Sequence, residues 1–282
     1  MEYLPWLAAE VERNVLAALV EDIGGGDLTA LLTPASRRSQ GTVIAREDAV
    51  LAGREWFDAC FRRLDPAAKI CWALNDGQLI TAGQTLCQIN ANTRALLTAE
   101  RAALNFLQLL SATATTTRRY VDAIAGTRAT IVDTRKTIPG LRLAQKYAVT
   151  CGGGANHRLG LYDGILIKEN HIIAAGGVVP ALQRARAIAH DEVFIQIEVD
   201  TLGQLQEALN ADARMILLDN MGLEKMREAV ALTAGRAKLE ASGGVNLETV
   251  RSIAETGVDR ISIGSLTKDI RAIDLSLRHS EG

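Results

Sequence analysis

Residues 194–219, FIQIEVDTLGQLQEALNADARMILLD, contain the pattern that decides the fold class. The apolar run at 194–199 predicts a strand, residues 202–210 predict an amphipathic helix, and the apolar run at 215–218 predicts a second strand. The alternation recurs beyond residue 114, with further apolar runs at 129–132, 165–167, 238–241 and 260–263. Repeated strand–helix units predict a parallel sheet covered by helices.

Polar side chains and small-residue turns mark the ends of these predicted strands. They include Asp133, Lys168, Glu198, Asp219, Ser242 and Gly264. A barrel gathers its active site at the carboxyl ends of all its strands, whereas an open sheet concentrates ligand binding at one switch point. The pattern therefore favours an α/β barrel, and because six strands are evident we expect an incomplete (β/α) TIM-like barrel. The glycine-containing turns after the last two runs suit a phosphate.

Residues 1–113 carry a different pattern, in which two helices flank a group of short strands. The helices are predicted at 7–20 and 93–110, and the strand-like runs lie at 41–45, 49–52, 70–74 and 85–89. We therefore expect a mixed α/β domain at 1–113 and a catalytic barrel domain at 114–267. A C-terminal tail, residues 268–282, is expected to pack on the first domain.

Composition and charge exclude several classes of protein. The chain has 282 residues, 48% hydrophobic and 23% charged, which is ordinary for a globular protein and excludes wholesale disorder. A sequence pI of about 6.1 argues against a nucleic-acid-binding domain. No apolar stretch is long enough for a membrane helix and no signal peptide is evident, so we expect a cytoplasmic protein without membrane contact. Four cysteines without a CxxC pair predict neither a disulfide scaffold nor a zinc site.

Positive charge is concentrated in one segment of this nearly neutral chain. Residues 135–168 have a local charge of +5, from one acidic side chain, Asp163, and six basic ones, Arg135, Lys136, Arg142, Lys146, Arg158 and Lys168. This excess predicts a pocket for a small polyanion, although a solvated basic face gives the same count. The glycine run at 152–154 is not a dinucleotide-binding fingerprint, since position 157 is His, and no P-loop is present.

Four side chains have two interpretations each from their positions alone. Lys168 can form a Schiff base, but its cationic neighbours better suit a residue that binds a carboxylate. Glu198 and Asp219 either form structural salt bridges, or stabilise a developing cation or bind Mg²⁺ through water. Arg101 lies off the buried stripe of its helix, and is either an ordinary surface arginine or directed at another surface.

Four segments are far more specific than any of these patterns. They are DTRKTIPGLR at 133–142, KYAV at 146–149, GGGANHRLGL at 152–161 and LIKENH at 166–171. Together with ERAALN at 100–105, LDN at 218–220 and EASGG at 240–244, they resemble the quinolinate phosphoribosyltransferase family over nearly the whole chain. The resemblance implies an N-terminal α/β sandwich, an incomplete α/β barrel, and a homodimer whose active sites use both subunits.

The resemblance also implies roles for individual residues. The two carboxylates of quinolinate are held by Arg135, His157, Arg158 and Lys168, with Arg101 supplied by the neighbouring subunit. The ribose and pyrophosphate of phosphoribosyl pyrophosphate are surrounded by Lys136, Glu198 and Asp219. Its 5′-phosphate is held by Ser242, Gly243, Gly244, Ser262, Ile263 and Gly264. The implied catalytic residues are Lys136, Lys168, Glu198 and Asp219, of which Glu198 and Asp219 bind Mg²⁺ through water or substrate.

The implied reaction transfers a phosphoribosyl group to quinolinate with loss of CO₂, giving nicotinate mononucleotide and pyrophosphate for NAD biosynthesis. Substrates that carry two carboxylates, a phosphate and a pyrophosphate agree with the cationic segment and the glycine turns. Three alternatives stay open: a Schiff-base barrel lyase that uses Lys168, a paralogue associated with molybdate transport, and a non-catalytic binding or structural relative, which would need to have lost site residues. The paralogue is expected to lack some of the site residues at 157–158 and 168–170, and all of these residues are present here.

Overall fold

The computed structural model describes residues 6–281, so residues 1–5 and 282 of the expected domains lie outside the described residues. It consists of two compact units. The first contains residues 6–118, 137–153 and 267–281, and the second contains residues 119–136 and 154–266. Residues 137–153, which the sequence assigned to the barrel domain, thus group with the first unit, as does the C-terminal tail. The domain boundary at 113/114 stays a prediction.

Helices and short strands alternate in the N-terminal part of the chain. In order, they are α1 (Leu7–Ile23), β1 (Arg38–Ala45), β2 (Ala49–Val50), α2 (Arg54–Leu64), β3 (Lys69–Trp72), β4 (Leu79–Ile80), β5 (Thr85–Asn92) and α3 (Thr93–Ala123). The sequence patterns did not predict α2, although its Trp56, Phe57, Cys60 and Phe61 recur at helical spacing and are all buried.

Helix α3 continues well beyond the predicted end at residue 110. The added turns contain SATATTT at 111–117, whose Ser and Thr residues are weak helix formers. Thr113, Thr115 and Thr117 donate their hydroxyls to the carbonyl four residues back, at 3.2, 2.6 and 2.8 Å. Because these side chains are also buried, packing overrides their low propensity. No helix in the described part of the chain, α3 included, is both long and apolar enough to cross a membrane.

From residue 130 onward, strands alternate with helices. The elements are β6 (Thr130–Val132), α4 (Arg142–Cys151), β7 (Gly164–Ile167), α5 (Glu169–Ala175), α6 (Val178–Ile188), β8 (Phe194–Val199), α7 (Leu202–Asn210), β9 (Met215–Asp219), α8 (Leu223–Thr233), β10 (Lys238–Ser242), α9 (Val250–Ala254), β11 (Arg260–Ser262), α10 (Ser265–Lys268) and β12 (Leu275–Glu281). All six strands predicted for the barrel are confirmed.

The second unit is built on one parallel sheet with the strand order β6-β11-β10-β9-β8-β7. Every neighbouring pair is parallel, as the repeated strand–helix pattern predicted. Within the described residues β6 and β7 form the two edges and do not pair with each other. Apolar side chains of α6, α7, α8 and α9 join those of the strands in one buried core. The expected incomplete α/β barrel is confirmed.

The first unit contains an antiparallel sheet with the order β12-β1-β5-β3 and a two-stranded pair, β2 and β4. Strand β12 pairs with β1 from Leu275 opposite Ala45 to Glu281 opposite Ser39. Buried side chains of this sheet, such as Val43 and Ile89, share a core with α1, α2 and α3. A sheet packed against helices in this way confirms the expected N-terminal α/β sandwich.

Candidate active site

A cleft of about 290 Å³ lies in the second unit, where residues at the ends of several strands meet. It is lined by Thr134, Arg135, Lys136, His157, Arg158, Leu166, Lys168, Glu198, Leu217, Glu240, Ser242 and Ser262. Residues proposed from the sequence for both substrates are thus brought together from five separate strands or the loops after them, and from the loop that precedes β7. Such convergence at the carboxyl ends of parallel strands is typical of barrel active sites.

The strand register explains which side chains share the cleft. Glu198 of β8 pairs with Leu217 of β9, which pairs with Glu240 of β10, so the three lie at one level of the sheet. Asp219 pairs with Ser242 two residues further along both strands. Because alternate residues of a strand point to the same face, Asp219 and Ser242 lie above Leu217 and Glu240. Asp219 is half-buried at the end of β9 and lies beside the lining rather than in it.

Four cationic side chains share this small space: Arg135, Lys136, Arg158 and Lys168. Burial, together with repulsion from Arg135, lowers the pKa of the Arg158 guanidinium below its ordinary value. Arg158 Nη1 donates to the carbonyl of Gly164 at 3.0 Å. The buried Nε of Arg135 has no hydrogen-bond partner among the described residues. Since a buried donor without an acceptor is unfavourable, the cluster suits an anionic ligand.

Lys168 faces Glu198 in the cleft, with its Nζ 3.4 Å from Oε2 of the carboxylate. The lysine side chain is 53% exposed and the glutamate 18% exposed, so Lys168 is not a desolvated amine. The backbone N–H of Lys168 donates to Nδ1 of His171 at 2.9 Å, at the start of α5. His171 therefore holds the strand-to-helix turn that presents Lys168, while the ammonium group stays available to an anion.

His157 is buried at the edge of the cleft, and both of its ring nitrogens have partners. Nδ1 accepts the backbone N–H of Arg158 at 2.7 Å, and Nε2 lies 2.7 Å from Oε1 of Gln196. Gln196 Nε2 donates to Oε2 of Glu240 at 3.2 Å, and Arg260 Nε lies 3.3 Å from the same oxygen. A chain of buried polar groups thus connects the barrel interior with the loop that carries Arg158.

The loop at 157–164 is organised by Asp163, the one acidic residue of the cationic segment. Its carboxylate accepts the backbone N–H groups of Leu159 and Gly160 at 2.7 and 2.8 Å. Gly164 lies against the ring of Phe194, where a Cβ would come within 2.6 Å of the aromatic carbons. The compact conformation of this loop therefore depends on the hydrogen bonds accepted by Asp163 and on the packing of Gly164 against Phe194.

Two close approaches explain glycines at the strand ends. Gly243 has a φ of 106°, and a Cβ at this position would overlap the side chain of Asn220. Asn220 itself has a left-handed φ of 52° and donates to Oδ2 of Asp219 at 2.9 Å. A Cβ on Gly264 would lie 2.9 Å from Cδ of Lys136, so the lysine stem lies directly against this turn. The glycine turns thus adjoin the side chains of Lys136 and Asn220.

Arg101 lies on the exposed side of α3 in the first unit and is not among the residues that line the cleft. It lines a groove of about 450 Å³ between α1, α3 and residues 139–141. Within this groove, Arg13 and Asn14 donate to the carbonyl of Gly140 at 2.7 and 3.1 Å. The role of Arg101 in the active site of a neighbouring subunit stays a prediction.

Glu198 and Asp219 offer the oxygen donors that Mg²⁺ prefers. Across residues 6–281, no group of three or more His, Cys, Asp or Glu side chains is arranged to hold a metal ion. In proteins Mg²⁺ usually keeps several waters and is bound through one or two carboxylates together with substrate phosphates. The two carboxylates therefore fit a Mg²⁺ ion that arrives with a phosphorylated substrate, and they do not form an all-protein cage.

Two family models match consecutive parts of the chain. The model described as the quinolinate phosphoribosyl transferase N-terminal domain matches residues 27–111, and that of the C-terminal domain matches residues 113–278. The chain belongs to the quinolinate phosphoribosyl transferase family. The resemblance found in the sequence is thereby confirmed.

Two bacterial relatives and one solved bacterial structure are similar to this chain over nearly their whole length. It is 43% identical over 274 residues to a nicotinate-nucleotide pyrophosphorylase (carboxylating) of Mycobacterium leprae, covering 94% of this chain and 95% of the relative. Identity is 40% over 258 residues to a probable enzyme of the same name from Bacillus subtilis, covering 92% and 89%. The solved nicotinate-nucleotide pyrophosphorylase of Francisella tularensis superposes with a TM-score of 0.94 at 43% identity, covering 99% of this chain and 98% of that structure.

Several polar residues of this family member's site were missed by sequence reasoning: Gln196, Glu240, Asp163 and Asn220. Gln196 and Glu240 each stand two residues before a predicted site residue on the same strand. The period-two alternation of a strand could therefore have identified both of them. Asp163 and Asn220 could be recognised from the sequence only as turn-forming residue types, because their roles depend on loop conformation.

Proposed function

We propose that this member of the quinolinate phosphoribosyl transferase family transfers the phosphoribosyl group of phosphoribosyl pyrophosphate to quinolinate. The products are nicotinate mononucleotide, pyrophosphate and CO₂. The observation that carries the proposal is the group of four cations, Arg135, Lys136, Arg158 and Lys168, in one small cleft that also contains Glu198. The names of the relatives from Mycobacterium leprae and Francisella tularensis, both nicotinate-nucleotide pyrophosphorylases, support it.

We assign the two adjacent carboxylates of quinolinate to Arg135, Arg158 and Lys168. The unpartnered Nε of Arg135 provides a donor that a carboxylate oxygen would satisfy. Arginine can bind a carboxylate through two parallel hydrogen bonds, which fixes the plane of the carboxylate as well as its position. Repulsion between Arg135 and Arg158 falls when a dianion lies between them, so binding relieves an unfavourable feature of the free site.

We assign phosphoribosyl pyrophosphate to the side of the cleft formed by β9, β10 and β11. Ser242 and Ser262 line this side, and the glycines that follow them allow backbone N–H groups to approach a phosphate. The stem of Lys136 lies against Gly264, which brings its ammonium group close to the same turn. Lys136 therefore suits the pyrophosphate that leaves the sugar, and the glycine turns suit the 5′-phosphate.

Glu198 and Asp219 stabilise the positive charge that develops on the ribose while its bond to pyrophosphate breaks. When the bond between ribose C1 and pyrophosphate breaks, the electron pair leaves with pyrophosphate and the ribose gains oxocarbenium character. Carboxylates fixed at strand ends stabilise that positive charge without reorganising during the reaction. When Mg²⁺ is bound with the pyrophosphate, it would neutralise negative charge on this leaving group. The pyridine nitrogen of quinolinate then donates its lone pair to C1.

Decarboxylation follows from the charge on the new nucleotide. The ring nitrogen becomes positively charged, and this charge stabilises the electron pair that remains on C2 when the C2–carboxylate bond breaks and CO₂ departs. A proton from solvent then takes the place of CO₂ at C2. The cations that hold this carboxylate must orient it without stabilising the bound substrate more than the transition state.

Schiff-base chemistry at Lys168 receives no support from the site. An amine nucleophile requires a lowered pKa, which burial in an apolar pocket or a neighbouring cation provides. Lys168 is instead half-exposed, and its Nζ lies 3.4 Å from Oε2 of Glu198 rather than in an apolar pocket. The molybdate-associated alternative was expected to lack residues of the 157–158 and 168–170 sets, and all of them are present.

A homodimer in the cytoplasm, with Arg101 of each subunit completing the site of the other, is also part of the proposal. Arg101 supports it by position: the side chains of Ala99, Ala103, Phe106 and Leu110 on the same helix are buried, whereas Arg101 is exposed. An exposed arginine on a rigid helix can reach a second molecule. The dianionic acceptor would then have a fourth cationic partner.

The direct test incubates the protein with quinolinate, phosphoribosyl pyrophosphate and Mg²⁺. We expect nicotinate mononucleotide and CO₂ in equal amounts, measured by chromatography and by release of label from the C2 carboxyl group. Nicotinate offered in place of quinolinate is expected to be a poor acceptor, since it lacks one carboxylate. Equal turnover of nicotinate, or a borohydride-trapped adduct on Lys168 with a carbonyl substrate, would contradict the proposal.

A further inference from the structure

His157 lies among the cations proposed to hold quinolinate, yet its ring is already fully engaged within the protein. Nδ1 accepts the backbone N–H of Arg158 at 2.7 Å. Nε2 lies 2.7 Å from Oε1 of Gln196. The edge-to-face contact with Phe194, with ring centroids 5.5 Å apart, fixes the plane of the imidazole as well. A substrate carboxylate would need an N–H that neither nitrogen can offer without breaking one of these bonds.

Consecutive hydrogen bonds link the backbone N–H of Arg158, the ring of His157, Gln196 and Glu240, and the two outer groups set the direction of each bond. A backbone N–H can only donate, so Nδ1 of His157 must carry a free lone pair where it meets Arg158. At the other end an ionised carboxylate can only accept, so Gln196 must turn its amide nitrogen towards Glu240, 3.2 Å away. The amide oxygen of Gln196 then faces His157, whose Nε2 must donate to it.

The burial of His157, Gln196 and Glu240 strengthens the hydrogen bonds between them. Gln196 and Glu240 are each 1% exposed, and His157 is 8% exposed. Arg260 Nε lies 3.3 Å from Oε2 of Glu240. The other carboxylate oxygen, Oε1, lies 3.7 Å from Nε2 of His157 and has no hydrogen-bond partner among the described residues. A polar group that loses its partner in such surroundings is left unsatisfied, so the network resists exchange with a ligand.

We propose that Gln196 and Glu240 hold His157 as a neutral imidazole protonated on Nε2, and that His157 is a positioning residue for Arg158 rather than a ligand of the substrate carboxylates. The proposal rests on the proposed function for the identity of the anion. Arg158 is then held at two points, by its backbone N–H on His157 and by Nη1 on the carbonyl of Gly164. This gives the guanidinium a fixed direction before the dianion arrives.

The first test reads the tautomer in the unmodified protein by ¹⁵N NMR of histidine-labelled enzyme at pH 8. The chain has four histidines, so the spectrum is simple, and a His157→Gln variant assigns the signals. We expect a protonated Nε2 and an unprotonated Nδ1 for His157, unchanged when quinolinate is added. Protonation on Nδ1, or a change of protonation on binding quinolinate, would overturn the proposal.

The second test uses Gln196→Leu, which removes the hydrogen bonds that Gln196 makes with His157 and with Glu240. We expect a mixture of His157 tautomers and a KM for quinolinate about five- to tenfold higher. The KM for phosphoribosyl pyrophosphate and kcat are expected to stay within about twofold. Leu205→Ala, a fully buried position on α7, is the control for lost packing and should change the melting temperature but neither KM.

The outcomes separate this proposal from the proposed function. If the unmodified protein forms no nicotinate mononucleotide, the function is wrong, and the NMR experiment still determines the tautomer. If the protein is active but Gln196→Leu folds and leaves the KM for quinolinate unchanged, His157 does not position Arg158. Should Gln196→Leu fail to fold, the tautomer of the unmodified enzyme with and without quinolinate decides the question.

Discussion

Arg135 provides the sharpest test of the cationic cluster, because its Nε is buried without a hydrogen-bond partner among the described residues. Arg135→Lys keeps the positive charge but removes the planar fork and that Nε donor. A hydrogen bond to a charged group contributes about 1.5–3 kcal/mol, and for a half-buried side chain we take the lower end. A loss of about 1.5 kcal/mol corresponds to a roughly tenfold higher KM for quinolinate.

Arg135→Ala removes the charge as well, and is expected to be more severe. Leaving a charged partner unpaired costs about 2–5 kcal/mol, so kcat/KM for quinolinate should fall by at least roughly 30-fold. The KM for phosphoribosyl pyrophosphate should change by less than about twofold. Steady-state kinetics with each substrate varied in turn measures both values, and Arg227→Ala on the exposed face of α8 is the matched control. If Arg135→Lys binds quinolinate as well as the unmodified enzyme does, charge alone accounts for binding and the geometric argument fails.

Three further predictions concern other parts of the site. Glu198→Gln should lower kcat by roughly 100-fold with a small effect on the KM for quinolinate, since its carboxylate acts on the transition state; a change in KM alone would contradict this. Mixing Arg101→Ala with Lys136→Ala homodimers under conditions of subunit exchange should restore roughly a quarter of the normal activity, because one site of each mixed dimer is intact; no recovery would place Arg101 in its own subunit's site. Gly264→Ala should raise the KM for phosphoribosyl pyrophosphate, because the new Cβ lies 2.9 Å from Cδ of Lys136, whereas Gly222→Ala, with open space around it, should not.

The architecture of the second unit could be predicted because its signal is local. Runs such as 194–199 and 215–218 are recognised from neighbouring residues alone, and the strands lie where the runs predicted them. The number of strands and the sense of the sheet then follow from the repeated strand–helix unit. Arg135, Lys136 and Lys168 were predictable for a similar reason, since each follows the end of a strand, whereas Arg158 was identified from the motif at 152–161.

The end of α3 and the pairing of β12 show where local patterns were insufficient. The Ser and Thr run at 111–117 has low helix propensity, and it is helical because its side chains are packed in the interior. Pairing of β12 with β1 joins residues at opposite ends of the chain, such as Ala45 and Leu275. Neither propensity nor periodicity carries information about a partner so far away.

Fold class, family and most of the residues that line the cleft could be inferred from the amino-acid sequence. How those residues contact one another became evident only in the tertiary structure, and His157 is the plainest case. Its partner Gln196 is 39 residues away, and Gln196 reaches Glu240 across a further 44 residues. Hydrogen-bond direction depends on which donors and acceptors meet in space, and that meeting is set by the packing of the whole sheet. A histidine in a motif can therefore be identified from sequence, whereas its protonated nitrogen cannot.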